Sequence, residues 1–352
     1  MMIEQKILIC FNEPTRIYNN YIGKEFADAK EDVDLSEKDF LNQIDNIKKV
    51  LEKKYISVET LAINSDIKTA IKKITQYSPD AIMNFVESVE GNSNMESYIA
   101  GIFDLLEIPY TGNSSSCLGN CLIKSRTKQI LQSHGIRTPK HYIAGINQIP
   151  ARDELLLKFP VILKLAREDA SIGISEFSVS KDYETVVKRL NYLFSTYNQE
   201  VLIEEYIEGR ELNVAILGDK ILPISEIRFD GLPDNLPKII TYEAKWSPDS
   251  VYYKNTVPQC PAQLDEHLKQ KVEKMAVEAF EAMECRDYTR VDIRLNAKNI
   301  PYVIEINPNP DISPDAGFIR SAGAAGISYS EVLYMITQMA LKRRQYDTQA
   351  AI

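Results

Sequence analysis

Hydrophobic positions along this chain keep two rhythms. Unbroken apolar runs such as KILICF (6–11), DAIMNFV (80–86) and VILKLA (161–166) carry the signature of strands buried on both faces. Between the first two, Phe40, Leu41, Ile44, Ile47, Val50 and Leu51 recur at helical spacing, and DIKTAIKKITQYS (66–78) does so again. ISVETLAI (56–63) reads as another strand, 94–107 as a helix, IPYTG (108–112) as a short strand closing at Gly112, and 22–36 as a polar, acidic loop. Such alternation predicts a parallel sheet with helices on both faces. The loops after its strands, carrying Asn12, Glu13 and Glu87, then face a ligand cleft.

Past residue 120 the pattern changes. A helix over 125–134 and a Pro-marked turn at Pro139 precede VILKLA. EFSVS (176–180) and VLIEEYI (201–207) read as strands about the amphipathic helix YETVVKRLNYLFSTY (183–197). ELNVAILGDKILPISEIRF (211–229) gives two strands joined at a Gly-Asp turn. Helices cover 262–284 and 328–344, with a frayed tail beyond. The fold class expected is α/β passing into α+β.

Composition narrows the partners. With 352 residues, the chain is long for one core, since cores stop growing at about 250–300 residues. Two or three domains are expected. A net charge of −9 argues against nucleic acid as the main partner. No run of about 18 apolar residues predicts a membrane span, and MMIEQKILICF lacks the features of a signal peptide. The five cysteines (10, 117, 121, 260, 285) are odd in number and scattered, which suits reduced thiols in a cytoplasm. Cys117 and Cys121 stand four apart without a second Cys or His pair, so they read as buried thiols rather than a metal centre. His134, His141 and His267 accompany no nucleophile motif.

The densest chemistry lies in RVDIRLNAKNIPYVIEINPNP (290–310). Alternation puts Arg290, Asp292 and Arg294 on one face of a strand, and Glu305 and Asn307 on one face of the next. A turn at Ala297–Lys298–Asn299 sets Asp292 opposite Glu305 and Arg290 opposite Asn307. Opposed carboxylates repel. Either a divalent cation relieves them, with Mg²⁺ the best match to two carboxylates and a carboxamide, or each acid pairs with an arginine on an exposed face. The prolines after Asn307 end the strand at an open edge, where ligands tend to sit.

These residues resemble the metal-binding end of the ATP-grasp ligases, most closely the D-alanine–D-alanine ligase group. The likeness continues in order through NFVESVEGNSNMESYIAGIFDLLEIPYTGN (84–113), SRTKQIL (125–131), FPVILKLAREDASIGI (159–174), VLIEEYIEGRELNVAILG (201–218), YEAKW (242–246) and CRDYTRVDIR (285–294), covering about 80–335. It implies an ATP-grasp fold in three parts: an N-terminal α/β domain (1–122), a central subdomain (123–206) and a C-terminal subdomain with the metal and catalytic residues (207–346). It implies ATP, one or two Mg²⁺ ions (Mn²⁺ as a substitute), a small carboxylate and an amine as substrates, a cytoplasmic location, and the homodimer common in that family. By the resemblance, Lys128, Lys164 and Lys245 contact phosphates, and Ser171 lies in the phosphate loop. Glu204, the backbone near Glu205 and Ile207, and Glu211 meet adenine and ribose. Asp292, Glu305 and Asn307 hold the metal, and Arg290 stabilises the transferring phosphoryl group. The reaction implied is carboxylate activation to an acylphosphate, then attack by the amine.

Several positions depart from the family. CFNEPTRIYNN replaces its Gly-Gly-x-Ser-type turn, leaving Glu13 as the nearest acid for the first substrate. Trp246 stands for a tyrosine, Ala170–Ser171 for a serine pair, and Ile123–Lys124 for Asp-Lys. Asp311 replaces a glycine, and Ala316 falls near the acceptor's serine. With Asp315, Asp311 suggests either an acceptor bearing a cationic amine or ordinary turn caps. On these departures a general carboxylate–amine ligase leads, with D-alanine–D-alanine ligation as the alternative. Intact Arg290, Asp292, Glu305 and Asn307 argue against a non-catalytic ATP binder. The missing Gly-x-Gly-x-x-Gly argues against a dinucleotide oxidoreductase.

Overall fold

The computed structural model describes residues 3–13, 20–24 and 35–350, with side chains except those of 35–42 and 344–350. Most of the acidic loop expected over 22–36 lies outside them. Three sheets follow along the chain. In the first, β1 (Ile3–Asn12) is central, α1 (Leu35–Leu51) leads to β2 (Tyr55–Ile63), and α2 (Ile67–Tyr77) leads to β3 (Ala81–Phe85). All three strands run parallel in the order β2-β1-β3, as the alternation predicts. The short strand expected at IPYTG is a single bridge from Tyr110 to Ile82.

Next come α3 (Met95–Leu105), α4 (Ser115–Leu122) and α5 (Lys124–Ser133). The pattern misses α4 because SSCLGNCL is built from small residues. Its start is fixed instead by Ser114, whose hydroxyl accepts from the Cys117 N–H. A second sheet contains β4 (His141–Ala144), β5 (Val161–Leu165), β6 (Val179–Ser180) and β7 (Val201–Glu205), antiparallel in the order β4-β7-β5-β6, with α6 (Tyr183–Tyr197) before β7. EFSVS yields only the two residues of β6, because 176–178 close a 3₁₀ turn capped by Ser175.

The third sheet takes β8 (Gly209–Leu217), β9 (Lys220–Ile221) and β10 (Ser225–Arg228). Pro223 breaks what reads as one strand after the Gly-Asp turn. Two short helices, α7 (Tyr242–Trp246) and α8 (Val251–Asn255), precede β11 (Val257–Gln259) and α9 (Glu266–Ala282). The hairpin β12 (Tyr288–Asn296) and β13 (Pro301–Asn307) completes the order β11-β10-β8-β12-β13. Finally come α10 (Gly317–Ala324) and α11 (Tyr329–Ala350), the latter running through the tail expected to fray. No described helix is long and apolar enough to cross a membrane.

One core joins the chain's two ends. Ile7, Ile9 and Met83 of the first sheet pack with Leu217, Phe318, Val332, Leu333 and Ile336, all essentially buried. A polar latch reinforces this junction. Asp287 accepts from the Gly112 N–H at 2.8 Å and from Arg343 of α11 at 3.0 Å, and Arg343 also donates to the Tyr110 carbonyl. The Asn113 side chain bonds the Arg286 N–H at 2.7 Å and the Tyr288 carbonyl at 3.1 Å. Cys117 and Cys121 are buried, and their sulfurs lie within 4.8 Å of a third, a grouping the sequence spacing does not predict. The structure adds Cys285, 3.6 Å from Cys117, in the same apolar cluster.

The latch should behave as a buried charge pair. Asp287→Asn keeps the shape and tolerates the positive φ of 59° there. It leaves Arg343 without its carboxylate, and urea unfolding should read a loss of about 2–4 kcal/mol.

Candidate functional site

The hairpin register is the expected one: Asp292 faces Glu305, and Arg290 faces Asn307. On its other side β12 pairs with β8, which brings Asn213 opposite Asp292. Asp292, almost wholly buried, accepts from Arg290 Nε and Asn213 Nδ2 on one oxygen, both at 2.7 Å. Its other oxygen accepts from Arg290 Nη2 at 2.9 Å and Asn307 Nδ2 at 3.0 Å. Asn307 thereby keeps Oδ1 as an available ligand atom. Glu305 lies 2.8 Å from Lys124 Nζ, which also reaches Asp169 at 3.0 Å. Each acid therefore has a cation, but only one cation is an arginine. Burial alone would raise the Glu305 pKa, yet Lys124 and Lys164 bring it to about 2.

Lys124 is the residue that sequence reasoning leaves out. Its signal is present in Ile123–Lys124, which reads as a departure because the acid is missing. Its position at the first turn of α5 nonetheless aims it into the cleft. Arg294, the second arginine flanking the acids, serves elsewhere. It donates to Glu211 and the Ile207 carbonyl, both at 2.7 Å, and to the Lys238 carbonyl at 2.9 Å. It thus fixes the 206–211 connection from which Glu211 projects. Burial raises the Glu211 pKa although Arg294 opposes it.

A second charged cluster lies on the middle sheet. Glu204, 1% exposed, sits between Lys128 at 2.5 Å and Lys164 at 2.8 Å. Burial would raise its pKa, but the two lysines bring it to about 2. The carboxylate expected beside adenine is therefore turned toward lysines. Glu205 accepts from the Lys158 N–H at 3.0 Å at the outer edge of the strand. Lys128 also donates to Thr138 at 2.9 Å, and burial lowers its pKa.

Between these clusters runs the loop 167–174. Ala170 and Ser171 both adopt left-handed backbone, with φ of 52° and 61°. Two successive non-glycine residues there are costly, and such strain gathers at functional sites. From α7, whose start Thr241 caps, Lys245 enters the cleft with no ion pair among the described residues. The cleft walls and nearby Arg290 push its pKa down. Trp246 Nε1 is buried and donates to nothing among the described residues. Lys124, Lys128, Lys164, Lys245 and Arg290 thus meet from four elements, a concentration suited to a polyphosphate. Beside them the oxygens of Asp292 on β12 and of Glu305 and Asn307 on the paired β13 form a donor set that fits Mg²⁺.

The remaining candidates are peripheral. Glu13 is exposed and accepts from Asn64 at 3.2 Å. Asp311 accepts from the N–H and hydroxyl of Ser313 at 2.8 and 2.7 Å, as a turn cap does, and Asp315 is exposed. Asp311 also lines a small cavity with Glu87, Asn84, Tyr288 and Glu96. The Glu87 N–H donates to Asn12 Oδ1 at 3.0 Å, and Glu87 shares that cavity with Asn309 and Asp311, so a strand end of the first sheet does meet the residues that follow the hairpin.

Residues 134–338 match the family model described as the D-ala D-ala ligase C-terminus. An uncharacterised protein, y4sG, of Sinorhizobium fredii is 32% identical over 74% of this chain and 75% of its own length. A D-alanine–D-alanine ligase of Nitrosospira multiformis is 30% identical over 72% of this chain and 78% of its own. The D-alanine–D-alanine ligase A of Bacillus cereus is 32% identical over 74% and 81%. The solved D-alanine–D-alanine ligase of Bacillus anthracis complexed with ATP superposes with a TM-score of 0.70 at 25% identity, covering 97% of this chain and 99% of that one.

Two carboxylates held at about 2 predict a defined acid response. Their folded pKa lies below the unfolded value, so their stabilisation is complete above about pH 5 and is lost as pH falls toward 2. Glu204→Gln should flatten the drop in urea midpoint across that window relative to the unsubstituted chain. An equal drop in both would remove Glu204 as a contributor.

Proposed function

Since the chain belongs to the D-alanine–D-alanine ligase family, and is thus an ATP-dependent ligase that forms a C–N bond, we propose that it condenses two small amino acids through an acylphosphate. D-Alanine with itself is the pair that the relatives' names favour over a general carboxylate–amine ligase. The observation that carries the reading is the quartet Arg290, Asp292, Glu305 and Asn307, in register on β12 and β13 beside four lysines.

The roles follow from placement. Lys124, Lys128, Lys164 and Lys245 bind the triphosphate, and the strained backbone at Ala170–Ser171 lies against it. Asp292, Glu305 and Asn307 would hold Mg²⁺, which neutralises phosphate charge when bound. A substrate carboxylate attacks the γ-phosphorus, and ADP leaves. The amine of the second substrate then attacks the acyl carbon, and phosphate leaves with the bonding electrons. Arg290, fixed by Asp292, offers its guanidinium to the charge that develops in both steps. Glu211 and the backbone of 205–207 cradle the nucleoside. Three domains, 1–122, 123–206 and 207–346, are supported by one sheet lying in each. The changed positions Trp246, Asp311 and Ala316 support a second reading, another amine acceptor, and Glu13 would face the first substrate.

ATP, Mg²⁺ and D-alanine should yield ADP, phosphate and a condensed product by mass spectrometry. Product only with a different amino-acid pair would select the second reading, and no ADP release with any pair would end both. Arg290→Gln should lower kcat by about 10²–10³ with a smaller change in the KM for ATP.

A further inference from the structure

Residues 20–24 belong to the connection after β1, yet their bonds go to the segment around the loop 167–174. The Gly173 N–H donates to the Tyr21 carbonyl at 2.9 Å. The Gly23 carbonyl accepts from Ser175 Oγ at 3.0 Å and from Arg189 Nη1 at 2.7 Å. Arg189 Nη2 donates to the Gly173 carbonyl at 2.6 Å and to Ser178 Oγ at 3.1 Å. Lys24 lies 3.1 Å from Glu176 and 2.8 Å from Glu243 of α7. The Tyr21 ring, fully buried, stacks on Tyr242 at 5.9 Å. Asn20 Nδ2 donates to the Tyr192 hydroxyl at 2.7 Å. The segment lies outside the stretch 134–338 that the family model matches.

Arg189 is the centre of this arrangement. It is 5% exposed, and its hydrogen bonds go to neutral oxygens. Filling a helix face needs no buried guanidinium, since an apolar side chain of that size costs less desolvation. What only a planar fork supplies is two diverging donors, here one for each chain segment. The approach is too close for a side chain between them: a Cβ on Gly23, where φ is +80°, would stand 2.5 Å from the Gly173 oxygen. Both backbone polar groups of Gly173 are thereby engaged, its N–H by the Tyr21 carbonyl and its carbonyl by Arg189. A carbonyl held on Arg189 is one fewer oxygen turned toward phosphate.

We propose that Arg189 is a positioning residue that, with the strap 20–24, holds the phosphate loop closed over ATP while the strap is docked. The inference rests on reading 167–174 as the phosphate loop of an ATP-dependent ligase. A docked strap couples nucleotide closure to the N-terminal part of the chain, and an undocked one leaves the γ-phosphate open to water.

The test compares the unsubstituted chain with Arg189→Ala, Arg189→Lys and Gly23→Ala. Hydrogen exchange over 168–176 is measured with and without ATP and Mg²⁺. ATP affinity is measured by calorimetry, and ADP released is counted against amide formed. Arg189→Ala should speed exchange in the loop, weaken ATP about tenfold and raise ADP per amide above one. Arg189→Lys should recover part of each. Gly23→Ala should reproduce the effect with Arg189 intact, which covers the case of Arg189→Ala failing to fold. A lower melting temperature with unchanged loop exchange and unchanged ATP affinity would overturn the proposal and leave Arg189 a structural residue. If the unsubstituted chain neither binds nor consumes ATP, the phosphate-loop reading fails. The strap contacts would then still be judged by the exchange data.

Discussion

A carboxylate buried within a sheet stays ionised only if cations follow it there, and the cleft is built around that requirement. Glu204 on β7, Asp292 on β12 and Glu305 on β13 are each met by a cation from another position: Lys128 and Lys164, Arg290, and Lys124. Lys128 and Lys124 both come from α5, so that one helix serves Glu204 of the second sheet and Glu305 of the third. Burying any acid alone would cost several kcal/mol. Helix α5, carrying Lys124 and Lys128, is thereby ion-paired to both sheets, and the paired face is the cleft. The same pairs keep the lysines charged and aimed inward, the state in which a polyanion can replace a carboxylate as their partner.

The parts of this design that repeat were legible in the sequence. The pairing of Asp292 with Glu305 and of Arg290 with Asn307 followed from alternation and the turn at Ala297–Lys298–Asn299; the shift between Asp292 and Ile293, which lets Val303 and Ile306 both turn into the core, has no mark in the period. The parallel first sheet followed from strand–helix alternation, and α6 had the bounds its period predicts. What stayed hidden had no period. The helix α4 is only eight residues long, too short for its buried face of Cys117, Leu118, Cys121 and Leu122 to repeat, EFSVS has the composition of a strand but only one turn of room, and Lys124 follows an isoleucine where an acid marks the motif. Arg189 looked like one more polar residue on an amphipathic helix. Its role comes from Gly23, 166 positions away, and no local pattern encodes that contact. For Glu204 the composition hinted at charge in a strand, but not at which neighbour would hold it.

The site thus divides into a shared and a particular half. Residues 134–338, which match the family model, contain the quartet, the loop, Lys164 and Lys245, while Lys124 and Lys128 precede them. The stretch before it holds the strap, Glu13 and Glu87. The departures from the family fall on both sides of that division: Trp246, Asp311, Ala316 and Ala170–Ser171 lie within the matched stretch, and Ile123–Lys124 precedes it.

The core that joins Ile7 and Met83 to Val332 and Ile336 bears on how the chain is made. Synthesis delivers the first sheet early and part of its cover last. Until the C-terminal helices are made, α1 alone covers that face of the sheet, although Ile7, Ile9, Ala81 and Met83 end with no exposed surface. An exposed apolar sheet face on a nascent chain invites association. A variant lacking α11 would leave the part of that face covered by Val332, Leu333 and Ile336 open to association.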